Sequence, residues 1–146
     1  MNSRKPPVKV CPVVIRKRND TFEILAFRHP LAGTQLVKGT LEPNEDIIPA
    51  AYRELWEESG INEVTNSKYL GSCYMPAKDQ FWHFILCHVA PQPNHWNHYC
   101  LDDGGHDFAF FWHPLDQAAD NSWHPVFIQA LSWIRQHILA TEPELS

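Results

Sequence analysis

The chain has 146 residues, 44% of them hydrophobic, with six Trp and eight Phe, a length and composition that suit one compact domain and exclude a disordered tail. No apolar run approaches the ~18 residues of a membrane span, and the start, MNSRKPPVKV, lacks an apolar signal segment, so the expected location is the cytoplasm. The formal net charge of −5 is concentrated: between Gly39 and Ile61, six acids (Glu42, Glu45, Asp46, Glu54, Glu57, Glu58) stand against one base, Arg53, and the rest of the chain is neutral. Such a patch suits a hard cation such as Mg²⁺, with a solvated acidic helix face as the alternative.

In chain order, VKVCPVVIRKR (8–18) reads as a strand, NDT (19–21) as a turn and FEILAFR (22–28) as the returning strand of a hairpin, ending at Arg28. QLVKG (35–39) is a short apolar run into a glycine. From Asp46, an N-cap residue, the spacing becomes helical: Ile48, Ala51, Tyr52 and Leu55 make an apolar stripe, Pro49 falls in the first turn, and Glu54, Glu57 and Glu58 stand opposite. KYLGSCYM (68–75) and FWHFILCHVA (81–90) read as strands, the second apolar on both faces and so central. PQPNHWNHYCLDDGGHD (91–107) reads as a long loop, and FAFFW (108–112) as a further strand. A terminal helix over about 123–140 carries Phe127, Ala130, Leu131, Ile134 and Ile138 at helical spacing. Strands around one helix, with a second helix at the end, predict a mixed α/β sandwich in a single domain covering 1–146. Cys11, Cys73, Cys87 and Cys100 form no CxxC pair and are expected to be free thiols, mostly buried.

The stretch RELWEESGI (53–61) opposes its own folding. Glu54, Glu57 and Glu58 share a helical face and repel by about a few tenths of a kcal/mol per pair. Gly60 stops the helix, which places the same carboxylates at the negative end of the helix dipole. A bound cation would reverse the sign of both effects.

Gly39, Glu45 and then Arg53-Glu54-Leu55-Trp56-Glu57-Glu58-Ser59-Gly60-Ile61, at these spacings, match the fixed positions of the Nudix box. The chain thus resembles the Nudix hydrolases, and the resemblance implies an α-β-α sandwich with a mixed sheet, the box helix spanning about 46–59. It further implies metal-dependent hydrolysis of a nucleoside diphosphate linked to another group, with Mg²⁺ or Mn²⁺ as cofactor and a small nucleotide as partner. By the same resemblance Glu54, Glu57 and Glu58 are metal ligands together with the carbonyl near Gly39, and Arg53 and Glu45 fix the carboxylate geometry. The general base is a box acid, Glu54 or Glu57, or a downstream acid, with Asp102, Asp103 and Asp107 on offer. Lys38 and Arg28 are the candidate substrate-binding cations. A Nudix-fold module that binds nucleotide without cleaving it is the alternative function.

Substrate markers conflict. Lys38-Gly39-Thr40-Leu41-Glu42 resembles the box entrance of Nudix enzymes acting on dinucleoside or inositol polyphosphates. The tyrosine expected in the diadenosine polyphosphate group is replaced by Lys78, whereas Pro76 has a spacing associated with ADP-ribose pyrophosphatases. His95, His98, Cys100 and His106 fit no standard zinc spacing. Trp96, Tyr99, Phe81 and Trp82 offer rings for base stacking, with core packing as the alternative. Arg4, Lys5, Lys9, Arg16, Lys17 and Arg18 are too few, in an acidic chain, for a nucleic-acid footprint, and a triphosphorylated RNA 5′ end is the one nucleic-acid substrate kept open.

Overall fold

The computed structural model describes residues 5–140, with backbone alone at 103, 139 and 140, so Arg4 and the Asp103 side chain lie outside the described residues. Within them run β1 (Val8–Arg18), β2 (Thr21–His29), β3 (Gly33–Gln35), β4 (Gly39–Thr40), α1 (Ile47–Ser59), β5 (Val64–Met75), β6 (Gln80–Val89), β7 (Trp96–Cys100), β8 (His106–Pro114) and α2 (Pro125–Ala140). The sheet order is β5-β6-β1-β2-β8-β7, with β3 on β2 and β4 on β1.

β1 changes partner along its length. Val8–Val14 pair in parallel with Phe81–Cys87 of β6, whereas Ile15–Arg18 pair antiparallel with β2. The β1–β2 turn holds Asn19 and Asp20 at φ 51° and 63°, the left-handed pair that lets a two-residue hairpin follow the strand twist.

Alternation along the strands sorts side chains into two layers. Cys11, Val13, Ile15, Ile24, Ala26, Trp82, Phe84 and Leu86 face α2, and meet its stripe of Phe127, Ala130, Leu131, Ile134 and Ile138. Val10, Val14, Leu25, Phe27, Ile85, Cys87, Phe108 and Phe110 face Ala50, Ala51 and Leu55 of α1. The result is the expected α-β-α sandwich with a mixed sheet. Cys11, Cys87 and Cys100 are buried free thiols and Cys73 is partly exposed.

Two expectations need correction. Residues 91–107 are not one long loop: β7 pairs with β8 from Trp96↔Phe110 to Cys100↔His106. The apolar face of α1 is rotated from the sequence stripe, so that Glu54 and Glu58 are buried toward the sheet and of the three only Glu57 points outward. Ala50 is small enough to let α1 approach the sheet, and Ile48 and Tyr52 end up half-buried at the flank, where Tyr52 donates to Ser67 Oγ at 2.9 Å. Asp46 occupies the N-cap with extended backbone but makes no side-chain cap bond, and its carbonyl accepts from Ala50 N–H at 3.0 Å.

Candidate active site

The last two turns of α1, the β3–β4 segment and the ends of β7 and β8 surround an open cleft of about 740 Å³. Glu42, Glu54, Glu57, Glu58 and Asp102 supply acid to its wall, and Lys9, Lys38 and Arg53 supply base. One ligand oxygen from each of Glu54, Glu57 and Asp102 lies within 4.8 Å of the others. Three hard oxygen donors at that separation fit a small divalent cation.

Arg53 organises these acids. Its Nε and Nη2 donate to the two oxygens of Glu45 at 2.7 and 2.9 Å, a bidentate fork. Its Nη1 donates to Glu54 at 2.7 Å and more weakly to Glu57 at 3.3 Å, and Nη2 also reaches the Thr40 carbonyl at 3.0 Å. The guanidinium holds the Glu45 carboxyl down at about 2. Burial acts in the other direction on Glu54, raising its pKa against the pull of Arg53.

Gly39 makes room for this arrangement, because a Cβ there would fall on the carboxylate of Glu54. Gly39→Ala is therefore expected to displace Glu54 and lower turnover by about tenfold or more. The melting temperature should move by only about 2–4 °C, because the atom displaced is the far end of a side chain. Activity and thermal unfolding of the same preparation check this.

Glu58 lines the cleft but stands outside the three-oxygen group, whose third member is Asp102. The Lys38 backbone N–H donates to its carboxylate, while burial and then the Glu54 charge push its pKa well up. A raised folded-state pKa gives stability that is complete below the unfolded value of 4.5 and lost as pH rises through the folded value. Glu58→Gln is thus expected to raise the metal-free melting temperature at pH 7, by about 2–4 °C for each kcal/mol relieved. At pH 4 the gain should vanish, and an equal gain at both pH values would exclude the carboxyl as its source.

The other candidates separate. Lys38 lines the cleft, with its ammonium 5.5 Å from the Trp82 ring and 5.9 Å from that of Phe127. Burial first, then Lys9, lowers its pKa. Lys9, named from sequence only among the six cations discounted as a nucleic-acid footprint, also reaches the cleft and donates to Thr40 Oγ1 at 2.7 Å. Arg28 is a correction: β2 alternation turns it to the α2 side, where its guanidinium lies 4.1 Å over Phe111, while Phe27 and His29 take the cleft side. Asp107 likewise falls on the exposed face of β8, between His106 and Phe108, which line the cleft.

None of the rings proposed for base stacking lines the cleft. Trp96 lies flat on Phe110 at 5.1 Å, Trp82 is buried, Phe81 meets Tyr74, and Tyr99 is exposed outside. The cleft rings are Phe108, stacked on Phe27 at 4.2 Å, and His29, 4.7 Å from His106 and 5.3 Å from Phe108. The alternations Phe27-Arg28-His29 and His106-Asp107-Phe108 were the available signal, because period 2 puts each outer pair on one face. Among the described residues the one grouping of metal-type ligands is that of Glu54, Glu57 and Asp102.

A two-helix sandwich with a carboxylate-lined cleft at the end of its first helix defines a class of protein, and the comparisons give its family. The family model described as the NUDIX domain matches residues 5–133, and the chain belongs to that family. No curated protein matches the chain in sequence. Among solved structures, the NUDIX domain of Shewanella oneidensis NrtR, complexed with ADP ribose, aligns at TM-score 0.68 and 12% identity over 93% of this chain and 90% of that one. A mutT/nudix family protein from Listeria innocua gives 0.63 and 16%, over 97% and 99%. An ADP-ribose pyrophosphatase from Streptococcus suis gives 0.62 and 16%, over 90% of each chain. At these identities the likeness is one of fold.

Proposed function

We propose that this chain hydrolyses the diphosphate bond of a nucleoside diphosphate linked to a second group, using a divalent cation, Mg²⁺ or Mn²⁺, held by Glu54, Glu57 and Asp102. The observation that carries the reading is the convergence of those three carboxylates in one cleft. When bound, the cation supplies charge neutralisation at the phosphoryl oxygens and a more acidic water.

The residues of the chain supply the rest. Arg53 and Glu45 fix the Glu54 carboxylate. Glu57, with 35% of its side chain exposed, is the box acid in reach of cleft water and takes its proton. Lys9 and Lys38 have no ion-pair partner among the described residues and draw the phosphates to the wall facing the acids. The half-buried rings of His29 and His106 offer a stacking surface for the base. The chain acts as a cytoplasmic enzyme in this reading, and no described helix is long and apolar enough to cross a membrane.

The test is nucleotide or phosphate release from ADP-ribose, diadenosine polyphosphates, nucleoside triphosphates and triphosphorylated RNA, with and without Mg²⁺ or Mn²⁺. The ADP-ribose named for two of the structural relatives puts that compound first in the panel. Metal-dependent turnover of one member is expected. Nucleotide binding with no turnover of any member would replace the reading by a non-catalytic binding module.

A further inference from the structure

Two side chains of β7 close the C-terminal end of α1. His98 Nε2 lies 3.1 Å from the Glu57 carbonyl, which can only accept, so the imidazole donates. Trp96 Nε1 donates to the Ser59 carbonyl at 2.9 Å. These are carbonyls that a helix end leaves without intrahelical partners, and α1 has no basic residue in its last turn to serve them. Gly60, at φ 82°, ends the helix, and a Cβ there would come within 3.0 Å of His98 Nδ1, so the imidazole packs directly on the stop.

The same face of β7 leads to the site. Residues 96, 98 and 100 point one way, Cys100 reaches the cleft wall, and Asp102 follows two residues later. The three-carboxylate group thus draws on separate elements: Glu54 and Glu57 from α1, Asp102 from the β7–β8 turn. His98 and Trp96 join the two elements by side-chain hydrogen bonds.

We propose that His98, seconded by Trp96, is a positioning residue that holds Glu57 and Asp102 at ligand spacing and thereby sets the affinity of the cleft for a divalent cation. The inference rests on reading those carboxylates as metal ligands. His98 touches neither substrate nor metal in this arrangement. It acts through the backbone of Glu57.

The test is Mn²⁺ binding, followed by the loss of free-ion electron paramagnetic resonance signal, on wild type, His98→Ala, His98→Gln and Trp96→Phe, each shown to be folded by thermal unfolding. His98→Ala is expected to weaken Mn²⁺ binding by about tenfold, the lower range for loss of a group that orients a ligand. His98→Gln, whose amide N–H extends to the same carbonyl, should bind within about twofold of wild type, and Trp96→Phe, which keeps the ring on Phe110, should weaken binding by less than His98→Ala. A folded His98→Ala or Trp96→Phe that binds Mn²⁺ as wild type does would overturn the positioning role of that residue. Wild type that binds no Mn²⁺ would overturn the metal reading itself, and the inference with it.

Discussion

Glu57→Gln is expected to lower metal-dependent turnover by about 10³-fold, within the range for loss of a general base. The substitution keeps size and one oxygen but removes the charge and the proton acceptor. Little of the fold depends on it: the side chain is 35% exposed and its bonds to Arg53 are long, at 3.3 and 3.5 Å. The melting temperature should therefore stay within about 2 °C of wild type. Steady-state turnover beside thermal unfolding separates the two effects. If turnover fell less than about tenfold, the base would be sought at Asp102, and Asp102→Asn should then show the large loss.

Arg53→Ala should damage stability and activity together. The guanidinium serves Glu45, Glu54 and the Thr40 carbonyl, and its removal leaves a buried Glu54 without its cation. Breaking a buried pair from one side costs about 3 kcal/mol, which for a chain of this size lowers the melting temperature by about 6–12 °C. Arg53→Lys should recover part of the stability and little of the turnover, since one ammonium cannot span both Glu45 oxygens and Glu54. The damage should also depend on pH. Burial raises the Glu54 pKa, so acidification neutralises the stranded carboxylate and narrows the gap between mutant and wild type. Glu45 has the opposite sign: its contribution is present above 4.5 and is lost only as pH falls through about 2. Denaturant titrations at pH 7 and pH 5 should show the smaller difference at pH 5, and a constant difference would remove Glu54 from the account.

Elements whose signal is local were legible in the sequence. The β1 strand, the Asn19-Asp20 turn, the end of α1 at Gly60 and the α2 stripe follow from spacing and backbone preference, and the structure has them where expected. The rotation of α1 was not legible, because Ala50 and Ala51 look neutral in a sequence yet are what let the helix approach the sheet. β7 was missed for a similar reason. Two of its side chains, Trp96 and His98, are turned to serve carbonyls that lie 37 and 41 residues earlier in the chain. Arg28 was misjudged by one position of strand alternation, which is enough to send a side chain through to the opposite layer. Asp102, Asp103 and Asp107 were indistinguishable as residues. The strands on either side of their turn bring Asp102 beside Glu54 and Glu57.

The divided pairing of β1 also fixes an order of events in folding. Its second half can form a hairpin with β2 as soon as both exist and Lys9 and Val10 can meet β4 soon after, but the parallel pairing of its first half waits for β6, Val8 meeting Phe81 only after more than half of the chain has been made. Contacts of such sequence separation close slowly, since the intervening chain must be ordered before they return any stability. Asp102 arrives later still, so during synthesis Glu54 and Glu57 form first and stand as a self-repelling helix end without their third carboxylate. The carboxylate group is therefore completed only once β7 and the turn after it have been made, and an interrupted chain ending before β7 would hold a recognisable Nudix box without Asp102.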